Sequence, residues 1–423
     1  MISESQLEKL SSLLREIQTS NPFYQKKLAG ISGPILTSDQ LRSIPFTFKR
    51  ELVQDQEQYP PFGSNLTYPI ETYTRFHQTS GTSGTPIRWL DTPESWEWMT
   101  ENWKQVFLKA GARPADRFFF AFSFGPFLGF WLAFEAAEKI GGLCIPGGGL
   151  SSLARLKMIV DHRATVLCCT PTYALRLAEV SRSEGVSLRN SHVRLIVVAG
   201  EPGGSIPEVR SALESAWPKA RVFDHHGMTE VGPVSYQCPE SPDRLHVLGK
   251  SYLPEIIDSN SGDHLLAGQI GELVLTPLGR AGTPLVRYRT GDLVRTATRS
   301  LCNCPVEDLS LEGGILGRCD DMVVIRGVNI YPSAVEKIVR AVPGIVEFKC
   351  RVVKSATLAE MEVQIEPDLK ADGNRLADEL ARKFEVAFSL RIPVKSVAPG
   401  SLPRFELKSR RWVVEAKGSH QVG

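Results

Sequence analysis

Between about residue 55 and residue 317, short apolar runs of strand length alternate with longer stretches of helical periodicity. RFFFAFSF (117–124), ATVLCC (164–169), VRLIVVAG (193–200) and GELVLTPL (271–278) read as strands. PESWEWMTENWKQVFLKA (93–110), FLGFWLAFEAAEKI (127–140), SSLARLKMIVDH (151–162) and YALRLAEVSRSEG (173–185) read as the helices between them. Such alternation predicts helices covering a largely parallel sheet, an α/β fold. Upstream, MISESQLEKLSSLLREIQTS is an amphipathic helix, followed by NPFYQKKL and a short helix at FKREL. No repeat or low-complexity tract interrupts the chain.

The pattern changes near Gly317. LGRCDDMVVIRGVNIYPSAVEKIVRAV predicts a strand, a turn and a helix entered through Pro332 and Ser333. VEFKCRVVKS and EMEVQIEP follow as strands, the second strictly alternating, as a strand with one solvated face should be. ADGNRLADELARKFEVAFSL is an amphipathic helix and PVKSVAPG the last short strand. The expected architecture is a large multi-sheet α/β domain over residues 1–317 and a small, mobile α+β domain over 318–423. The polar junction Arg318-Cys319-Asp320-Asp321 is the candidate hinge.

Composition narrows the class. At roughly 150 residues per domain, 423 residues suit one large domain with a smaller companion. Hydrophobic residues make up 42% and charged residues 23%, which excludes a disordered chain. Forty-nine basic against 47 acidic residues leave no basic footprint for nucleic acid. The apolar stretch Phe118 to Phe134 is broken by Ser123, Gly125, Pro126 and Gly129 and cannot span a membrane. The N-terminal helix lacks the features of signal and transit peptides, so a cytoplasmic enzyme is expected. Eight cysteines in a chain of this length do not form a disulfide framework.

Four constellations carry candidate chemistry. HQTSGTSGTPIRW (77–89) is a loop of small hydroxyl residues and glycine, able to converge backbone N–H groups on an anion or to be a flexible hairpin. It is not a Walker A loop, because no Gly-Lys-Ser/Thr follows, which disfavours a P-loop kinase or GTPase. FDHHGMTEVGP (223–233) offers Glu230, one residue after Thr229, as a carboxylate for Mg2+, with His225 and His226 as stacking or structural histidines. LVRYRTGDLV (285–294) projects Asp292 from a Thr-Gly-Asp turn, as a ribose acceptor or a turn former. SLPRFELKSRRW (401–412) places Lys408 among Arg404, Arg410 and Arg411, as a solvated face or as a charge that neutralises oxyanions.

In this order the four resemble the core motifs of the adenylate-forming superfamily of acyl-CoA synthetases, luciferases and adenylation domains. NPFYQKKL, FKREL, GGLCIPGG, AGEP, RGVNIYPSAVE and LPRFELK look like its phenylacetate–CoA ligase branch. The resemblance implies that Thr79, Ser80, Gly81, Thr82, Ser83, Gly84, Thr85 and Pro86 cradle the β- and γ-phosphates of ATP. It implies that Gly200, Glu201 and Pro202, with Asp224, His225, His226, Gly227 and Met228, line the nucleotide. Thr229 would meet the α-phosphate, Glu230 the Mg2+ and Asp292 the ribose, with Arg318 nearby. Asp320 matches the hinge, Arg326 and Gly327 a loop facing CoA, and Lys408 the lysine bridging carboxylate and α-phosphate. The family usually has Tyr where His226 stands; an imidazole is smaller and can titrate.

The implied reaction activates a carboxylic acid as acyl-AMP with release of pyrophosphate, then transfers the acyl group to CoA. Phe122, Phe124 and Gly125, with Ala199 and Gly227, are expected to form the acyl pocket, alongside Phe127 and Phe130. Flat apolar walls suit an aromatic acid such as phenylacetate, benzoate or anthranilate. Cys302 and Cys304, one residue apart, can bind one metal ion; Cys238 and His246 would complete a Cys₃His tetrahedron for structural Zn2+. A carrier-protein phosphopantetheine is an alternative acceptor to CoA, and a non-catalytic nucleotide-binding protein of the same fold is the alternative from another class. No nucleic-acid or membrane partner is expected; a homodimer stays open beside the monomer.

Overall fold

The computed structural model describes residues 3–31, 33, 35, 37–79, 85–297, 304, 308–326, 328–354, 359–405 and 409–416. At its centre five parallel strands stand in the order Leu143–Pro146, Arg117–Phe120, Val166–Cys169, Leu195–Val198 and Arg221–Asp224. Alternate side chains enter opposite cores, as a strand's period of two requires. Phe118, Phe120, Val166, Cys168, Leu195 and Val197 join the core beneath helices Pro93–Lys109 and Leu128–Ile140. Phe119, Leu167, Ile196 and Val198 join the one beneath Pro171–Ser183 and Pro207–Ala216. Thr92 and Thr170 cap their helices by accepting from Ser95 N–H and Tyr173 N–H, each followed by a proline whose missing N–H costs nothing there.

Two strands are shorter than their apolar runs suggest. Arg117–Phe120 and Leu195–Val198 stop short, so Ala121–Gly125 and Ala199–Gly200 leave the sheet as loops at its carboxyl edge. Gly200 has φ +93°, a left-handed turn natural to glycine. Ala121 and Phe122 stay buried beyond their strand, whereas Ala199 is half-buried and Gly200 exposed.

A second sheet is antiparallel, with Tyr252–Ile257, Ile270–Pro277, Tyr288–Arg295 and Gly317–Arg318 in that order. Helix Glu4–Ser20 buries Leu10, Leu13, Leu14 and Ile17 against Leu253, Leu278 and Val286, the i, i+3, i+4, i+7 stripe of an amphipathic helix. A third sheet pairs Ser235–Gln237, Arg244–Val247 and Ser310–Glu312.

Residues from Val323 onward build a separate core around Val335, Val339, Phe348, Val363, Leu380 and Phe384. Its four strands are ordered Val394–Ser396, Ala359–Pro367, Ile345–Lys354 and Trp412–Ala416, covered by helices Pro332–Arg340 and Gly373–Phe388. PVKSVAPG is therefore not the last strand: Trp412–Ala416 adds one, parallel to Ile345–Lys354. The charge run hid it, because Arg411 is buried between Glu347 and Glu336 instead of solvated. Among the described residues no helix is long and apolar enough to cross a membrane.

One buried group ties the large domain together. Arg280 donates from Nε and Nη2 to the two oxygens of Asp91, both at 2.7 Å, and from Nη1 to the carbonyls of Thr229 (2.8 Å) and Glu230 (2.9 Å). Replacing it as Arg280→Met strands a buried carboxylate and should cost about 3–5 kcal/mol. Urea unfolding checks this; a loss below about 1 kcal/mol would show that Asp91 finds another partner.

Candidate active site

The motif residues gather at the carboxyl edge of the parallel sheet, where open α/β sheets bind ligands. Asp224 ends its strand and His225 to Glu230 continue from it. Asp224 is buried, accepts from Ser205 Oγ and from His225 N–H, and its carboxyl is pushed above the usual range by burial. His225 turns inward: its ring lies 4.3 Å from Trp103, and Nδ1 sits 2.6 Å from Ser235 O. Burial lowers its pKa to about 3, so it is a neutral packing residue. Gly227–Met228 pairs with Gly232–Pro233 in a tight hairpin whose tip is Thr229-Glu230. A Cβ on Gly227 would meet Gly232 O at 2.8 Å, so the hairpin closes only with glycine there.

Glu230 is held at that tip through the Arg280 contacts to the backbone. Its carboxylate is buried and meets Lys49 Nζ at 3.3 Å, from a lysine side chain that is 41% exposed. A buried carboxylate whose ionic partner is a movable surface lysine suits a cation that keeps most of its waters, as Mg2+ does.

The second sheet brings Asp292 to the same place. His226 Nε2 lies 3.0 Å from Asp292 Oδ2, and Arg318 Nη1 donates to Asp292 Oδ1 at 3.1 Å. Arg318 also pairs with Asp320 at 2.8 Å, so the candidate hinge and the candidate ribose carboxylate share one guanidinium. The imidazole at position 226 therefore engages the carboxylate through its ring edge.

Thr79 closes the base of the Ser/Gly/Thr loop: its Oγ1 accepts from Ile87 N–H at 3.0 Å, and its own N–H donates to Ile87 O at 2.9 Å. Thr85 and Pro86 are exposed. Gln78 N–H donates to Pro126 O, which ties the loop to the segment carrying Phe122, Phe124 and Gly125. Phe122 stacks on Phe130 at 4.1 Å, and Phe124 packs edge-on to Trp131 at 5.0 Å. Ser80, Gly81, Thr82, Ser83, Gly84, Gly327, Cys302 and Lys408 lie outside the described residues. Arg326 sits at a hairpin tip with φ +49°, 3.4 Å from Glu360.

The segment flanking Lys408 docks onto the large domain. Arg404 Nε and Nη2 both donate to Glu179 Oε1 at 3.0 Å. Ser409 N–H donates to Glu201 Oε2 at 2.9 Å, and Glu201 Oε1 accepts from Thr172 N–H at 2.8 Å. Arg411 Nη1 reaches Thr172 Oγ1 at 3.3 Å. Glu201, expected beside the nucleotide, thus joins the start of helix Pro171–Ser183 to the C-terminal segment. Sequence reasoning did not single out Glu179, Lys49 or Arg280; for Arg280 the one available signal was a lone arginine after the apolar run GELVLTPLG.

Farther out, Cys238, His246 and Cys304 converge with their donor atoms within 4.8 Å of one another. Cys304 Sγ lies 3.2 Å from His246 Nε2, while His246 Nδ1 faces Asp308 O at 3.3 Å. Donor atoms around a tetrahedral zinc stand about 3.5–3.8 Å apart, and a second-shell carbonyl on the far ring nitrogen fixes the tautomer. The donor set fits zinc.

Similarity to known proteins agrees with this geometry. The model of the AMP-binding enzyme family matches residues 76–277, and that of the AMP-binding enzyme C-terminal domain matches residues 327–415. The phenylacetate–coenzyme A ligase of Thermus thermophilus is 32% identical over 97% of this chain and 96% of its own. That of Escherichia coli is 29% identical over 96% and 93%. A crystal structure of 2-hydroxyisobutyryl-CoA ligase in the postadenylation state, with 2-HIB-AMP, superposes with a TM-score of 0.91 at 26% identity, covering 98% of this chain and 90% of that one. The same enzyme with 2-HIB-AMP and CoA in the thioesterification state gives 0.71 at 27% identity, over 97% and 89%. The better match is to the postadenylation state. The chain belongs to the AMP-binding enzyme family, as an acyl-CoA ligase of the phenylacetate–CoA ligase-like branch of the adenylate-forming superfamily.

Proposed function

We propose that the enzyme joins an aromatic carboxylic acid to CoA in two half-reactions. In the first, a carboxylate oxygen attacks the α-phosphorus of ATP, and pyrophosphate leaves with the electrons of the broken P–O bond. In the second, the CoA sulfur attacks the acyl carbonyl and AMP departs with the bonding pair. The convergence of Glu230, Asp292 and the Thr79 loop stem at one sheet edge carries the reading. It separates an active ligase from a nucleotide-binding relic.

The residues divide the work. The Thr79 to Pro86 loop cradles the outer phosphates, Thr229 meets the α-phosphate, and Asp292, steadied by His226 and Arg318, accepts from the ribose hydroxyls. Glu230 holds Mg2+, which supplies charge neutralisation at the phosphates when bound. Lys408, which the sequence places between the docked residues Arg404 and Ser409, would neutralise charge between carboxylate and α-phosphate. Such stabilisation needs no side-chain nucleophile. Phe122, Phe124 and Phe130 give a flat apolar wall, which favours an aromatic acid such as phenylacetate, benzoate or anthranilate. The second half-reaction needs another surface at the carbonyl; rotation of the domain 318–423 about Asp320 would withdraw Lys408 and present Arg326 and Gly327.

Zinc has a separate, structural role in this reading. Bound by Cys238, His246 and Cys304, with Cys302 as the fourth ligand, it would pin the connection leading into Ser310–Glu312 onto the neighbouring strands.

A panel of aryl acids with ATP and Mg2+ should release pyrophosphate, and added CoA should yield the aryl thioester; aliphatic acids alone reacting would remove the aromatic assignment. Lys408→Ala should depress pyrophosphate release by about 10²-fold or more while sparing thioester formation from a supplied acyl-adenylate. Equal loss in both steps contradicts the role given to Lys408. Elemental analysis of purified protein should find about one zinc per chain, lost in Cys304→Ser, since structural sites need their full ligand set. Metal-free protein of undiminished stability would remove the zinc.

A further inference from the structure

We propose that Lys49 binds the terminal phosphates of ATP; this rests on the nucleotide reading of Glu230 above. The Ser/Gly/Thr loop contains no lysine or arginine from Thr79 through Ile87, so its sequence brings no positive charge to a polyanion. The described arginines close to Glu230 and Asp292 are committed elsewhere. Arg280 is saturated by Asp91 and two carbonyls. Arg289 is held by Glu272 and Ser259 O, and Arg318 by Asp292 and Asp320. Lys49 differs: it is half-exposed and its ion pair is a single 3.3 Å contact with Glu230.

Its position is set with care by the backbone. Thr47 N–H donates to Arg287 O at 3.0 Å, Arg289 N–H donates to Thr47 O at 3.0 Å, and Thr47 Oγ1 donates to Val286 O at 2.7 Å. Residue 47 thereby rides on the strand that carries Asp292, and Lys49 begins helix Lys49–Gln58 just beyond it. The backbone before Lys49 is thus anchored to the strand that carries Asp292, and its ammonium reaches Glu230.

Charge balance supplies the rest. Without nucleotide, Lys49 neutralises Glu230. Once Glu230 serves a divalent cation, the ammonium is left without its anion beside the phosphates that cation also meets. An ammonium on a flexible four-carbon stem can turn to them. The N-terminal helices, remote in sequence from the loop, thereby supply the cation the loop lacks.

The test compares two nucleotides on the full-length protein. Equilibrium binding of a non-hydrolysable α,β-methylene ATP with Mg2+, and of AMP, is measured for wild type, Lys49→Met and Lys49→Arg. Lys49→Met should weaken the ATP analogue at least about tenfold, the worth of one charge-assisted contact, and leave AMP within about twofold. Lys49→Arg should recover most of the lost affinity. Equal losses for both nucleotides, or none, would overturn the assignment, since general damage to the site strikes AMP as well. Wild-type protein that binds neither nucleotide would instead overturn the reading of Glu230.

Discussion

The Arg280 guanidinium is the point on which the site's geometry turns. It is buried with its counter-ion, four of its hydrogen bonds are accounted for, and its plane lies 5.2 Å from the Trp89 ring. Buried ion pairs add little net stability, because desolvation offsets their attraction. What this one gives is position: a planar fork fixes strand Arg88–Asp91 and the Thr229-Glu230 tip relative to each other, which a lysine point charge could not do. The stem of the Ser/Gly/Thr loop and the Glu230 tip are thus set by one buried side chain.

A site for two anionic substrates is lined by several acids, and their different settings keep the balance workable. Asp224 is buried, its carboxyl is shifted upward by that burial, and Ser205 Oγ and His225 N–H donate to it. Asp292 is shared by a guanidinium and an imidazole. Glu230 has the Tyr288 hydroxyl and one exchangeable ammonium as its partners. In the proposed reading, the carboxylate that would take Mg2+ is the one whose ionic partner can move.

How far the sequence disclosed this depends on range. The parallel strands were legible because their apolar runs and capped helices are local signals, as with Thr170-Pro171 before Pro171–Ser183. The HGMTE and TGD turns were legible because their glycines are required, Gly227 by the Gly232 carbonyl and Gly291 by its left-handed φ of +76°. Trp412–Ala416 was not, because a strand whose preceding arginine is buried by Glu336 and Glu347 looks polar until those partners are known. Lys49 stands 181 residues before Glu230, as their positions show, and no periodicity links the two. His225 and His226 look alike in sequence, yet one packs on Trp103 and the other meets Asp292, since successive residues leave the strand end in opposite directions.

The docking of the C-terminal segment shows how a domain can be both placed and releasable. Its crossing contacts are polar: Arg404 with Glu179, Ser409 N–H with Glu201, and Arg411 with Thr172. Partly exposed pairs of this kind are worth about 0–1 kcal/mol each, enough together to bias an arrangement and too little to lock it. Each participant also has a partner that stays behind. Arg404 keeps Glu366, Arg411 keeps Glu347 and Glu336, and Glu201 keeps Thr172 N–H. In the proposed rotation of the domain, neither arginine would be left as an uncompensated buried charge, nor would Glu201. An apolar contact at the same place would have to expose its surface to water, whereas these polar contacts would exchange protein partners for solvent.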